Sequence, residues 1–400
     1  MPPPVDIVGT NTRETNRLRM LETLLRRPAR SRGDLGRSLG VSRATVTALL
    51  TEFEQAGIVE QQAEGSEERR PKGRPPLQVS LAPDAAFAVG LDFGHRHLRV
   101  AVCDLGGGTV AERWAAIDID SDPVRSLDLA QRLTAEAVAE SGVGGERLIG
   151  VGVGFAAPVD GSTGRVLTGG IMPGWDGLDP GAELERRLGL PVQVENDANA
   201  GAIGEHMFGA GRGVADMLYV RLSAGIGLGL IIGGRPYRGA AGIAGEIGHV
   251  RVVDNGLICR CGNRGCLETV AGPDVIVELL ERSRGERLTM TRVMDLVYAG
   301  DRGAARAVAD AGRAVGRAVA AAVNLLNPRL VVIGGDLAEA RDVLLDPIRT
   351  AIAEDSLVPA AATVDVVASS LGERAEVLGA ASIQLTRAPE ALARRLARTA

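Results

Sequence analysis

Residues 245–268 read GEIGHVRVVDNGLICRCGNRGCLE. This stretch holds three of the four cysteines of the chain, Cys259, Cys261 and Cys266, with His249 upstream of them. One imidazole and three thiolates complete a tetrahedral shell for Zn²⁺ and leave no position open for water, which is the make-up of a structural rather than a hydrolytic site. Gly256, Gly262 and Gly265 let the backbone turn back on the metal. A C-x-C-x₄-C run with an upstream histidine, in a chain otherwise poor in cysteine, reads as metal ligation; three buried, unmetallated thiols are the alternative. Glu246 and Glu268 bracket the set. If Glu246 and His249 share a helical turn, their i, i+3 spacing puts both on one face. The ring that holds the metal then also offers polar groups to whatever lies beside it. Cys103 stands alone in a β-like run and reads as a small core residue.

The rest of the chain sets bounds on this reading. Four hundred residues exceed one ordinary core, so two or three domains are expected. An apolar content of 45% and a charged content of 24% indicate a soluble globular protein. The net charge of −5 argues against a chain-wide polyanion binder. MPPPVDIVGT has neither a cationic n-region nor an apolar h-region, and no run of about 18 apolar residues follows, so a cytoplasmic protein with no membrane partner is expected. Clustered cysteines fit metal ligands in a reducing compartment.

Charge is uneven along the chain. Residues 10–51 contain nine arginines and three acids, an electrostatic footprint that suits nucleic acid. Asn16–Arg27 carries Leu18, Leu21, Leu24 and Leu25 at helical spacing. Ser31 opens a second helix containing Leu35 and Leu39. Gly40-Val41 makes a tight turn, and Ser42 caps a third helix with Val46, Leu49, Leu50 and Phe53 as its buried stripe. These spacings predict a helix-turn-helix with residues 42–56 as recognition helix; a protein-interaction module is the alternative. Arg43, Thr45 and Thr47, with Ser42, face outward near its start. Arg suits guanine O6/N7, and Thr suits a thymine methyl or a phosphate. Two short strands around the polar loop 64–76 add a wing. Arg74 in Gly-Arg-Pro resembles the minor-groove tip of AT-hook peptides; a basic linker is the alternative.

G-E-I-G-H followed by C-x-C-G-x-x-G-C-x-E resembles the signature of the ROK family of repressors, uncharacterised reading frames and sugar kinases. The resemblance runs from the winged helix to the closing helix, which is interrupted near Pro389. It implies an α/β fold: a winged helix-turn-helix over residues 1–82, then a two-lobed actin-like ATPase, or sugar-kinase-like, body over residues 83–400 with a structural zinc loop. In the kinases an aspartate and a Gly-Gly-Thr turn receive phosphates. This chain keeps Asp92 and Gly94 but has His95-Arg96-His97 next. Ser223-Ala224-Gly225-Ile226-Gly227 resembles the second phosphate loop, with Ala224 where a threonine is usual. Gly334-Gly335 resembles the adenosine-side turn, although Gly-rich turns also serve plain hairpins. Damage to the first loop argues against efficient phosphoryl transfer, which depends on positioning and charge stabilisation.

Glu195-Asn196-Asp197-Ala198-Asn199 ends a short apolar strand, where α/β folds hold ligands. The resemblance implies that Asp197 matches the kinase general base and Asn196 a sugar contact, with Glu246, His249 and Glu268 as further sugar contacts. A helix N-cap is the plainer reading of Asn196 and Asp197, and the two roles are compatible. The sequence thus leads to a sugar-responsive transcriptional regulator, a repressor binding operator DNA as a homodimer or homotetramer, with no catalytic residue expected. An ATP-dependent sugar kinase with an added DNA-binding domain is the alternative.

Overall fold

The structure, a computed structural model, describes residues 12–26, 30–63, 77–160, 163–167 and 171–399. The N-terminal unit comprises α1 (Thr12–Arg26), β1 (Arg30–Ser31), α2 (Arg32–Leu39), α3 (Arg43–Gln55), β2 (Val59–Ala63) and β3 (Leu77–Leu81). Ser31 and Ser42 cap α2 and α3, each hydroxyl accepting a backbone N–H at 3.1 Å. Gly40 ends α2 at φ 67°, a left-handed conformation that costs glycine least. The stripe of α1 is rotated from the expected one. Met20, Leu21 and Leu24 are buried, whereas Leu18 and Leu25 are half-buried. The cause is Arg17, buried on the inner face where it pairs with Glu52 of α3. β1 joins the wing, giving a three-stranded order β1-β3-β2.

The body has two lobes of the same topology. In the first, β4 (Phe87–Phe93), β5 (His97–Asp104), β6 (Thr109–Ala116), β7 (Leu148–Phe155) and β8 (Val192–Asn196) form a sheet in the order β6-β5-β4-β7-β8. In the second, β9 (Met217–Leu222), β10 (Ile226–Ile232), β11 (Arg235–Pro236), β12 (Leu330–Gly334) and β13 (Asp365–Ala368) repeat it as β11-β10-β9-β12-β13. Each sheet is an antiparallel meander extended by two parallel strands. Helices α4 (Pro123–Ser141) and α5 (Pro180–Leu188) belong to the first lobe. α7 (Glu268–Ala271), α8 (Pro273–Arg284), α9 (Met290–Tyr298), α10 (Arg302–Leu326), α11 (Asp342–Asp355) and α12 (Val358–Ala361) belong to the second.

Two helices lie between the sheets, α6 (Asp197–Phe208) and α13 (Ala375–Leu385). They pack without side-chain clearance. A Cβ at Gly379 would sit 1.7 Å from the Ala200 carbonyl, and one at Gly152 1.8 Å from the Ala380 carbonyl. α13 therefore meets α6 and the first sheet backbone to backbone, as small residues allow. Cys103 is fully buried against α13, and burial pushes its thiol up to about 12.

The closing helix breaks at Thr386-Arg387, and α14 (Ala388–Thr399) follows. α14 does not extend the body. Ala388, Leu392 and Leu396 share one buried cluster with Leu21, Leu24 and Phe53 of the N-terminal unit. The two ends of the chain thus build one core. Among the described residues, no helix is long and apolar enough to cross a membrane.

Candidate functional site

The strand β8 delivers Asn196 and Asp197 to its C-terminal edge. Asn196 is the N-cap of α6, its Oδ1 accepting the Asn199 N–H at 3.1 Å. Its Nδ2 donates to Asp197 Oδ1 at 3.1 Å and to the Ala157 carbonyl at 3.3 Å. Asn196, Asp197, Glu246, His249 and Glu268 all line one cavity between the lobes. The cap and the cavity wall are thus one residue doing both. Burial pushes Glu246 up to about 7, and the carboxylates of Asp197 and Glu268 add to this.

The cavity wall also contains residues that the motifs did not single out. Arg221, on β9, is buried and places Nη1 3.0 Å from Asp197 Oδ2 and Nε 3.1 Å from Glu376 Oε1 on α13. Burial pulls its guanidinium down, but Asp197 and Glu376 more than offset this and hold it above its ordinary value. Tyr219 donates its hydroxyl to the same Glu376 oxygen at 2.8 Å. Arg260, in the cysteine loop, pairs with Glu268 Oε1 at 3.1 Å. Gly225 and Gly227, in the stretch that resembles a phosphate loop, line this cavity. A Cβ at Gly225 would meet Glu268 Oε2 at 2.9 Å, and one at Gly227 would meet the Ala198 methyl at 2.7 Å. Close packing therefore accounts for both glycines.

His249, Cys259, Cys261 and Cys266 come together, their ligand atoms all within 4.8 Å of one another. Glu246 and His249 do share a turn, the 3₁₀ segment Ile247–His249. His249 Nδ1 lies 3.5 Å from Cys259 Sγ, and Cys261 Sγ lies 3.8 Å from Cys266 Sγ. A tetrahedron with metal–sulfur bonds of about 2.3 Å and a metal–nitrogen bond of about 2.0–2.1 Å has S–N and S–S edges of about 3.6 and 3.8 Å. The four residues fit such a shell. Nδ1 faces the sulfurs, while Nε2 lies 3.8 Å from Glu246 Oε2. One ring therefore connects the cysteine cluster to the cavity.

The segment that resembles a phosphate turn is filled. His97 Nε2 lies 2.8 Å from Asp92 Oδ2. A Cβ at Gly94 would meet the His97 ring at 2.3 Å, so the imidazole lies directly over the backbone of this turn. Gly334 packs on Tyr219, and Gly335 at φ 82° turns against the Leu222 carbonyl. The Asp336 N–H donates to Ser223 Oγ at 3.3 Å, tying the two glycine turns together.

On α3, Ser42, Arg43 and Thr47 are exposed and Thr45 is half-buried. Ser42 Oγ is engaged as the cap, with Thr45 Oγ1 2.9 Å away. Several arginines of the basic segment are neutralised locally: Arg13 and Arg17 by Glu52, Arg32 by Glu54, and Arg37 by Asp34. The two glutamates lie just past the basic stretch in sequence, so its surplus overstates the free positive charge. Arg74 lies outside the described residues.

Comparison with known proteins adds to this geometry. The MarR family model matches residues 12–70, and the ROK family model matches residues 88–387. The chain belongs to the ROK family. The xylose repressor of Bacillus subtilis (strain 168) is 27% identical over 374 residues, covering 94% of this chain and 96% of the repressor. A solved ROK family transcriptional regulator, a homolog of the Escherichia coli Mlc protein, superposes with a TM-score of 0.76 at 25% identity, covering 96% of this chain and 99% of that one. A ROK family glucokinase from Streptomyces griseus, solved with glucose and AMPPNP, superposes with a TM-score of 0.66 at 30% identity. It covers 74% of this chain and 99% of the kinase.

Within the ROK body, the sequence carries a signal for the extra wall residues. Arg221 is a lone cation inside the apolar strand MLYVRL, and a charge there demands buried partners. His95 read as damage to a phosphate turn, yet its ring is buried and lines the cavity.

Proposed function

We propose that this ROK protein is a sugar-responsive DNA-binding regulator, a repressor of carbohydrate uptake or catabolism genes. The observation that carries the reading is the combination in one chain of a winged helix-turn-helix, a cavity lined by Asn196, Asp197, Glu246, His249 and Glu268, and a phosphate turn covered by His97. The effector is a monosaccharide or a derivative of one, the class named for the xylose repressor and glucokinase relatives. Asn196, Asp197, Glu246, His249 and Glu268 are its contacts, and Ser42, Arg43, Thr45, Thr47 and Arg74 face DNA. His249, Cys259, Cys261 and Cys266 hold a structural Zn²⁺, which ties the loop 249–266 to the cavity. The protein acts in the cytoplasm as a homodimer, since one winged helix reads a half-site and two-fold proteins match two-fold operators.

A sugar changes DNA affinity only if it binds the two states differently. A continuous set of contacts supports such coupling. Asp197 meets Arg221, Arg221 meets Glu376 on α13, and α13 leads through two residues to α14, which is part of the winged-helix core. A sugar that moves Asp197 shifts this set at its first member. Phosphoryl transfer is absent or feeble on this reading, because Asp197 is held by Arg221 and Asp92 by His97. Turnover in the ordinary kinase range of about 1–100 s⁻¹ with ATP and Mg²⁺ would favour the kinase alternative.

The test is fluorescence anisotropy on an operator selected by the protein from a random duplex pool, at fixed salt, with and without D-xylose or D-glucose. The parent should change affinity roughly 5–150-fold with its sugar, a coupling of about 1–3 kcal/mol. Arg43→Ala should lose about 1–3 kcal/mol of DNA affinity and keep sugar binding. Asp197→Ala should bind DNA and ignore sugar; a parent-like sugar response in that variant would show that the pocket is wrongly assigned.

A further inference from the structure

The turn between β4 and β5 carries three basic side chains in a row, and each has a different partner. His97 covers Asp92. Arg96 reaches the second lobe, its Nη2 2.8 Å from Asp274 Oδ2 at the start of α8. His95 lines the cavity between the lobes. Its ring is 9% exposed, with Nδ1 2.7 Å from Asp120 Oδ1. The Ile119 N–H donates to the His95 carbonyl at 3.0 Å, and Trp175 Nε1 donates to the Ile119 carbonyl at 2.7 Å. The backbone of His95 is thus tied through Ile119 to Trp175, and Asp120 holds the ring.

A carboxylate accepts, so Nδ1 donates to Asp120, and in the neutral ring Nε2 presents a lone pair. Nε2 has no protein partner among the described residues. A Cβ at Gly225 would lie 2.9 Å from Glu268 Oε2 and 3.9 Å from His95 Nε2, so both atoms lie over the same glycine. Two carboxylates of the wall are already engaged. Asp197 Oδ1 takes the Ala198 N–H at 2.7 Å, and its Oδ2 faces Arg221. Glu268 Oε2 takes the Ile226 N–H at 3.2 Å, and Oε1 faces Arg260. Sugar hydroxyls need directed acceptors as well as donors.

The geometry points to His95 as an effector contact, its Nε2 accepting a hydroxyl hydrogen of the bound sugar beside Asp197 and Glu268. Asp120 is its positioning residue, fixing the tautomer and the ring plane. The segment that lost a phosphate turn has thereby become part of the sugar-reading wall. This inference rests on the sugar-pocket reading above.

The chain has four histidines, so ring ¹³C-labelled full-length protein gives a small set of Cε1–H resonances. His95→Gln identifies the His95 signal by its absence. D-xylose and D-glucose are added to saturation, with calorimetry on the same samples. The His95 signal is expected to move with the sugar that binds, while that of His206, at the far end of α6, stays in place. His95→Ala should weaken that sugar at least tenfold, and Asp120→Asn should weaken it less. If the sugar binds the parent while the His95 signal stays fixed, the inference is overturned and the pocket reading survives. If neither sugar binds, both fall. Should His95→Ala fail to fold, the ring signal of the parent decides alone.

Discussion

Replacing Arg221 by methionine tests the electrostatic centre of the lobe interface. The side chain is 5% exposed and serves two buried carboxylates, Asp197 at 6% and Glu376 at 4% exposure. Arg221→Met leaves both without their cation at 3.0 and 3.1 Å. Removing one partner of a buried pair costs about 3–5 kcal/mol, because the remaining charge is stranded. That is a large share of a total stability of about 5–15 kcal/mol. At about 2 °C per kcal/mol for a large domain, Tm should fall by about 6–10 °C. Glu376→Gln should behave differently. Asp92, Asp197 and Glu376 outnumber Arg221 and His97 in this cluster, and burial already pushes Glu376 up to about 7. An amide still accepts from Tyr219, so this variant should lose about 1 kcal/mol or less. Urea and thermal unfolding at pH 7, followed by circular dichroism, measure both. Arg221 is not the electrostatic centre of this interface if Arg221→Met stays within about 1 kcal/mol of the parent, or if Glu376→Gln is equally damaging.

Metal analysis of purified protein should find zinc, and Cys259→Ser should lose both the metal and order in the loop 249–266; protein free of zinc would remove the structural-site reading. Leu392→Ala, at a position 1% exposed on α14, should cost about 2–5 kcal/mol. Its effect should appear as faster amide exchange in α1, α2 and α3 while β4 and β7 keep their protection; uniform loss throughout the chain would show that α14 does not belong to the winged-helix core. His97→Gln addresses pH. Burial pulls His97 down, but Asp92 more than offsets it, so the folded pKa is raised. The stabilisation is then fully present below the unfolded value of about 6.5 and lost as pH rises through the folded one. The Tm difference between parent and His97→Gln should therefore shrink with pH above about 6.5, and a constant difference would mean that the pair does not titrate.

The local chemistry of this chain was legible in one dimension. Ser31 and Ser42 announce helix starts because a hydroxyl beside a helical run satisfies a free N–H, and both caps form. Asp301 starts α10 for the same reason, and Asn327 ends it because asparagine tolerates the left-handed conformation. The cysteine cluster was readable because its donor types and spacing leave few other uses, and three of its ligands lie within a single loop. Of the apolar positions expected inside α1, Leu21 and Leu24 are buried but Leu18 and Leu25 only half, since a buried arginine is invisible to a count of apolar positions.

Sequence by itself determined the winged helix-turn-helix, the helix caps, the clustering of His249 with the three cysteines and the family, because each depends on residues close together in the chain or on a contiguous motif. The tertiary structure alone decided the rest. Two lobes share a strand order without any readable sequence period, since topology is carried by which edges pair and not by residue identity. Asp197, Arg221 and Glu376 form one cluster from strands and helices far apart in the chain. His95 became a cavity wall and His97 a cover for Asp92 through side-chain directions that only the packed turn sets. The last helix joined the first domain because its apolar face found an uncovered core at the opposite end of the chain, a partner that burial selects in space and that no local pattern encodes.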